Sequence, residues 1–295
     1  MIEKSIIIEI EKLLDNKKII DSKLLSDSFG INCLKIVTSD SKEFIVKYYY
    51  KNNDEFNAIK SETDNLLFLN RQKFNQFPSI INYNDNLLIM SYINNDDNQP
   101  NQTNDDLLNS IISLHSNKNK NYGFSFDTQI GGLKQINSGS KNWLEFYRDK
   151  RLTYIFDLVN KNQPMDETIN TKIDLLIKKI DNFIPNQPTP SLLHGDLWEG
   201  NILFKNKKFV GFIDPGSFYG HNELEVSYLR WFNPKFIDEN FLDKYNDHIK
   251  MDKYYLEYEP IYQLYYSLLN VYLWDRSYIE DVRKLLKKLK YNVWN

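Results

Sequence analysis

Between residues 194 and 216 the chain reads His194-Gly195-Asp196-Leu197-Trp198-Glu199-Gly200-Asn201, then an apolar hairpin pattern, then Asp214-Pro215-Gly216. Ile202-Leu203-Phe204 and Phe209 to Ile213 flank the turn Asn206-Lys207-Lys208, so a β-rich island is framed by polar residues that are costly to bury without partners. Moving a phosphoryl group needs a carboxylate to orient the attacking hydroxyl and oxygen ligands to hold Mg²⁺ against the phosphates. Asp196 could be that carboxylate, with Asn201 and Asp214 as the ligands. Mg²⁺ suits so sparse a set, because it takes one or two protein carboxylates and completes its shell with phosphate and water. A plainer reading has Asp196 and Asn201 stabilising a loop and Asp214 capping the next helix. Asp-x-x-x-x-Asn alone arises by chance in an Asn-rich chain. Joined to His194-Gly195, the hairpin and the second aspartate, it is much rarer, and the chemical reading is favoured.

The spacing of Asp196 and Asn201 is also that of the kinase catalytic loop, and the N-terminal half holds matching parts. Phe44-Ile45-Val46-Lys47 sets a lysine on a predicted strand, where it could contact the α- and β-phosphates of ATP. Glu62, on a predicted helix, could pair with it; the bland alternative is a surface lysine and a solvated glutamate. Ser26 to Asn32 lies where a phosphate-covering loop is expected and holds one glycine, Gly30. Leu87 to Ile93 ends in the expected interlobe connection, where backbone groups would read adenine. By position Ser91 would offer its carbonyl and Ile93 its amide, and Met90 would wall the pocket. Cys33, just after the glycine, reads as a small strand hydrophobe, with a redox-sensitive thiol as the sharper alternative. His115, His194, His221 and His248 show no zinc spacing with one another or with Cys33.

These residues need elements to carry them. Apolar spacing predicts a helix over 5–15, strands over 18–26, 33–38 and 43–50, a helix over 54–70, and short strands over 79–83 and 87–91. The run 94–106 is almost entirely Asn, Asp, Gln, Thr and Pro and reads as a loop. Helices are then expected over 105–117, 140–160, 167–183, 223–232, 238–250 and 258–291, interrupted by the 201–213 island. This is an α+β arrangement in two lobes, a small β-rich N-terminal lobe (1–93) that would bind ATP and a larger helical lobe (94–295) for catalysis and acceptor binding. The 295 residues carry a net charge of −3 with no long basic run, which argues against nucleic acid or an anionic membrane as partner. The stretch Ile6-Ile7-Ile8 is too short to span a bilayer, the N-terminus does not read as a signal peptide, and a lone cysteine suits a reducing, cytoplasmic setting.

With those motifs in hand, the chain resembles the fructosamine (ketosamine) kinase family, a branch of the aminoglycoside phosphotransferase-like kinases with the protein-kinase-like fold. The strongest matches are H-G-D-L-W-E-G-N at 194–201 and D-P-G-S-F-Y-G-H-N-E-L-E at 214–225. Tyr122-Gly123-Phe124, Trp143, Phe146-Tyr147-Arg148, Arg151-Leu152 and Tyr262-Gln263-Leu264-Tyr265 extend the likeness towards the C-terminus. The resemblance implies an ATP- and Mg²⁺-dependent kinase acting on a sugar hydroxyl of ketosamines, as free glycated amines or on protein lysines. Phosphorylation at the usual 3-hydroxyl would then release the amine, a deglycation. It implies Asp196 as catalytic base, Asn201 and Asp214 as Mg²⁺ ligands, and Lys47 with Glu62 as the ATP-positioning pair. Trp198, His221 and Glu223 become candidates for the acceptor pocket, through cation–π attraction and charge pairing; His221 and Glu223 could equally be a structural pair. Three departures stand out: the glycine loop is thin, Gly216 replaces an alanine, and Asn270 and Tyr272 occupy positions where relatives tend to carry His and Asn. A kinase of aminoglycosides or choline-like amines is the runner-up. A noncatalytic nucleotide-binding module is disfavoured because Lys47, Asp196, Asn201 and Asp214 are all present.

Overall fold

The computed structural model describes residues 3–51 and 56–289. In chain order its elements are α1 (Lys4–Leu13), β1 (Ile19–Ser28), β2 (Ile31–Thr38), β3 (Glu43–Tyr49), α2 (Ala58–Arg71), β4 (Ile80–Tyr83) and β5 (Leu87–Ser91). Next come α3 (Asp105–Ser116), β6 (Thr128–Ile130), β7 (Leu133–Gln135), α4 (Trp143–Tyr147), α5 (Tyr154–Asn162), α6 (Glu167–Lys178) and β8 (Ser191–Leu193). The chain closes with β9 (Ile202–Lys205), β10 (Lys208–Phe212), β11 (Phe218–Gly220), α7 (Asn222–Phe232), α8 (Phe241–His248), α9 (Tyr255–Leu273) and α10 (Ile279–Lys288). No helix among the described residues is long and apolar enough to cross a membrane.

Two compact units share these elements. The first holds residues 1–98, 128–134 and 201–216; the second holds 99–127, 135–200 and 217–295. In the first, five antiparallel strands run in the order β1-β2-β3-β5-β4. Strand side chains alternate between faces. Leu34, Ile36, Phe44, Val46 and Tyr48 therefore pack with Ile10 of α1 and Leu14 just after it in one buried cluster, which leaves Cys33 and Lys47, register partners on β2 and β3, on the opposite face. The expected loop from Ser26 to Asn32 shrinks to a two-residue connection, because Ser28 pairs with Ile31. Phe29 (φ 54°) and Gly30 (φ 76°) both turn left-handed, the backbone of a type I′ hairpin. One glycine is enough for that turn.

The second unit is mainly helical, with α9 as its most buried helix. Two expected long helices are broken. The 140–160 run becomes α4, a π-helical turn at Arg148–Thr153, and α5. The widened turn accommodates the fully buried Arg151, whose guanidinium lies 4.7 Å from the Phe146 ring and 4.2 Å from Phe218 and donates to the Ile136 carbonyl and Asn137 Oδ1. The 258–291 run splits into α9 and α10 around the short 3₁₀ turn Arg276–Tyr278, with Asp275 capping that turn. Of the expected helix over 54–70, residues 54 and 55 lie outside the described residues, and so do 290 and 291 of the last helix.

Candidate active site

In the first unit, strand alternation aims Lys47 away from the α1 face and α2 brings Glu62 to it. Lys47 Nζ lies 2.7 Å from both carboxylate oxygens of Glu62 and 2.7 Å from Asp214 Oδ1. Lys47 and Glu62 are buried, while the Asp214 side chain stays 39% exposed. Burial works against the lysine's charge, but Asp214 and Glu62 beside it hold its pKa above the ordinary value. One ammonium thus bridges two carboxylates and leaves Asp214 Oδ2 outside the pair. Asp214 adopts φ 56°, a left-handed conformation that few non-glycine residues take and that aspartate tolerates better than most.

Asn201 stands beside this centre, because the Ile213 amide donates to the Asn201 carbonyl at 3.1 Å. A carboxylate and a side-chain amide oxygen are hard donors that fit Mg²⁺. Among the described residues no group of three or more His, Cys, Asp or Glu could hold a metal ion, so any Mg²⁺ here depends on phosphate and water for most of its shell. Ser91 ends β5 and exchanges hydrogen bonds with Ser79, its amide donating to the Ser79 carbonyl and its Oγ accepting from the Ser79 amide. Ile93 follows, and Gly211 of β10 lies directly against it: a Cβ built there would sit 2.7 Å from Ile93 Cδ1. The 201–213 hairpin therefore floors the segment that ends the sheet. Gly30 accepts at its carbonyl from the amides of Tyr50 and Lys51. Burial pushes the Cys33 thiol up to about 12, so the sulfur is protonated at neutral pH.

In the second unit a buried clamp holds the loop that carries Asp196. Glu225 on α7 accepts from the His194 amide (2.9 Å) and the Gly195 amide (2.7 Å), and His115 Nε2 lies 2.9 Å from the same carboxylate. His115 Nδ1 in turn meets the Tyr245 hydroxyl at 2.7 Å, and Asn222 donates to that hydroxyl. Burial alone would raise the Glu225 carboxyl; the contacts with His115, His194 and the Gly195 amide reverse the sign and lower it. Gly195, at φ 89°, permits the sharp path between the gripped amides. Asp196 follows, 8% exposed, its amide donating to His194 Nδ1. The Tyr228 hydroxyl reaches both Asp196 and Asn270, and its ring stacks on Tyr266 at 3.6 Å with 6° between planes.

Trp198 is half-buried, supported by Phe232 at 5.5 Å, with Gly200 beneath the far edge of its indole. His221 and Glu223 are brought to each other but not to Asp196. β8 and β11 pair Phe218 with Leu193 and Gly220 with Ser191, so His221 leaves this ladder at the Ser191 end and Asp196 at the Leu193 end. His221 Nδ1 meets Tyr262 Oη at 2.9 Å, and burial depresses its pKa to about 3. Glu223 accepts from the Tyr258 hydroxyl and from the Asp252 amide, and burial raises it to about 7. Both line a cavity of about 460 Å³ with Lys118, Thr189 and Asp252. The sequence offered no role for Glu225, His115 or Tyr228. The only available signal was the Glu-x-Glu pair at the start of α7, and nothing local says which backbone it grips.

The fold is of the protein-kinase-like class. A Thermobifida fusca structure carrying the fructosamine-3-kinase name superposes with TM-score 0.84 at 19% identity, covering 97% of this chain and 99% of that one. A Streptococcus pneumoniae choline kinase shares the fold with TM-score 0.68 at 14% identity, covering 98% of each chain. The chain belongs to the fructosamine kinase family, whose pattern matches residues 4–292, and the named relatives in it are phosphotransferases acting on sugar hydroxyls. It is 31% identical to the Arabidopsis thaliana chloroplastic protein-ribulosamine 3-kinase over 238 residues, covering 77% of this chain and 69% of that protein. An Enterococcus faecium protein carrying the ketoamine kinase name is also 31% identical, over 187 residues; the match covers 62% of this chain and just under two thirds, 65%, of that protein.

Proposed function

We propose that the chain transfers the γ-phosphate of ATP to a hydroxyl of a ketosamine, the sugar–amine adduct borne by a small amine or a protein lysine. The observation that carries this reading is the buried Lys47–Glu62–Asp214 centre, a cation fixed between two carboxylates with one carboxylate oxygen left over. In the proposed roles Lys47 contacts the α- and β-phosphates, Glu62 holds it there, and the backbone at Ser91 and Ile93 meets the adenine edge. Asn201 and Asp214 would hold Mg²⁺, which when bound offsets the negative charge of the phosphates. Asp196 accepts the proton of the attacking hydroxyl as its oxygen bonds to the γ-phosphorus and the bond to the β-phosphate oxygen breaks, leaving ADP. The Glu225 clamp fixes the backbone just before Asp196, so little positional freedom has to be lost when the acceptor arrives. Trp198, with one face backed by Phe232, is proposed to receive the cationic amine. His221 and Glu223, engaged by Tyr262, Tyr258 and Asp252, are assigned to buttressing the start of α7.

The test is ATP consumption with Mg²⁺ over a panel of ribulosamines, fructosamines and aminoglycosides, with Asp196→Asn as the blank. Turnover confined to ketosamines, with phosphate recovered on the sugar, is expected. Turnover on aminoglycosides alone would overturn the acceptor assignment, and no turnover on any of them would overturn the reading as a whole.

A further inference from the structure

The segment between Thr128 and Lys134 belongs to the first unit although it is far in sequence from that unit's sheet. It touches two parts of the nucleotide half-site. At its tip Gly132 lies against Phe29, the residue preceding Gly30 in the tight β1–β2 turn: a Cβ built on Gly132 would fall 2.9 Å from both Phe29 Cβ and Cγ. These atoms are the root of the side chain rather than its flexible end, so added bulk at 132 has to displace the turn itself. Gly132 is also at φ 78°, and its amide donates to Gln129 Oε1 at 2.8 Å, which closes the hairpin on itself. At its base the fully buried Thr128 donates its hydroxyl to the Gly216 carbonyl at 3.0 Å, two residues beyond Asp214. Strand β6 packs on α2, the helix that bears Glu62.

We propose that this hairpin positions the phosphate-covering turn: Phe29 seats on Gly132 and Thr128 anchors the hairpin to the Asp214 loop, so turn and loop are held at one spacing. The inference rests on the reading of the first unit as the nucleotide half-site. It explains how a turn with a single glycine can serve: such a turn is stiff, and its place over the phosphates is set from outside by a second hairpin. Phe29, 39% exposed and in a left-handed conformation, owes its position to that seat. Phe29, Thr128 and Gly132 are positioning residues and are not expected to touch the reacting atoms.

Equilibrium titration of the full chain with Mg²⁺ and a fluorescent ATP analogue tests this, with thermal unfolding measured alongside. Phe29→Ala and Gly132→Ala should each weaken nucleotide binding roughly tenfold. The double variant should be no weaker than either alone, because one contact is being removed twice. Backbone strain from an alanine at φ 78° would lower the melting temperature in both backgrounds and so separates from the nucleotide effect. If Gly132→Ala does not fold, Phe29→Ala and Thr128→Val carry the test with the residue-132 backbone untouched, and both should weaken binding. Nucleotide affinities within twofold of the unaltered chain, or single effects that multiply in the double variant, would overturn the inference. Failure of the unaltered chain to bind the nucleotide would overturn the functional reading beneath it.

Discussion

The two units hold their key aspartates by opposite means. Asp214 is held through its charge: Lys47 grips one carboxylate oxygen, and Glu62 keeps Lys47 in place. Asp196 is held through its backbone, with the amides of the two preceding residues captured by the buried Glu225 carboxylate. The difference follows from what each group is proposed to do. A carboxylate that meets a metal and phosphates can be fixed in place by a neighbouring cation. A carboxylate that must accept a proton would be weakened by one, so Asp196 is placed by the gripped backbone before it and by the neutral Tyr228 hydroxyl instead.

Breaking the charge-held side should cost most. Lys47→Met leaves Glu62 buried without its cation, and a broken buried pair is worth about 3–5 kcal/mol. Chemical denaturation should show that loss, and nucleotide binding should disappear with it. Adding Glu62→Gln should restore much of the stability but none of the binding, which separates structural from functional need. Asp214→Ala should fold and lose the Mg²⁺ dependence of nucleotide binding, a dependence read by titration with and without the metal; an unchanged Mg²⁺ requirement would remove Asp214 from its assigned role.

On the backbone-held side, Glu225→Gln keeps the shape but puts an N–H donor where one of the two amide donors points. A loss of about 2 kcal/mol in stability is expected. With the base loop loosened, kcat should fall roughly 10- to 100-fold while nucleotide affinity stays the same. A fall in nucleotide affinity equal to the fall in kcat would erase the contrast between the two sides.

The smallest effect concerns Glu223, whose carboxyl is raised by burial to about 7 from an ordinary 4.5. Such a group stabilises the fold below about pH 4.5, and the contribution is lost as pH climbs through 7. Stability should therefore decline between pH 5 and pH 8 by about 2 kcal/mol, and Glu223→Gln should flatten that slope. A slope untouched by the substitution would locate the titrating group elsewhere.

What the sequence made legible is what local pattern controls. The β2–β3 hairpin shows in its alternation and its turn at Ser39 to Lys42, and Lys47 could be placed on its strand with Glu62 as a candidate partner on the next helix. The 201–213 hairpin was visible for the same reason. Three kinds of feature were not. Strands β6, β7, β8 and β11 are three residues each, too short to carry a period, and β8 and β11 depend on pairing with each other across 24 intervening residues. The break in the helix expected over 140–160 turns on where a buried arginine finds two rings and a carbonyl. Glu225 is the last residue of the 214–225 motif, but its partners, His115, His194 and Gly195, come from elsewhere in the fold. The placement of His221 and Glu223 depends on the β8–β11 register, which spacing along the chain does not reveal.

The central claim is that nucleotide binding and proton acceptance reside in different residues. The most direct test measures ATP affinity and phosphoryl transfer to a ribulosamine side by side in Asp196→Asn and the unaltered chain. Transfer should fall by about three orders of magnitude or more while ATP affinity stays within a factor of about two. Loss of ATP affinity in step with transfer, or transfer that persists, would contradict the division of roles.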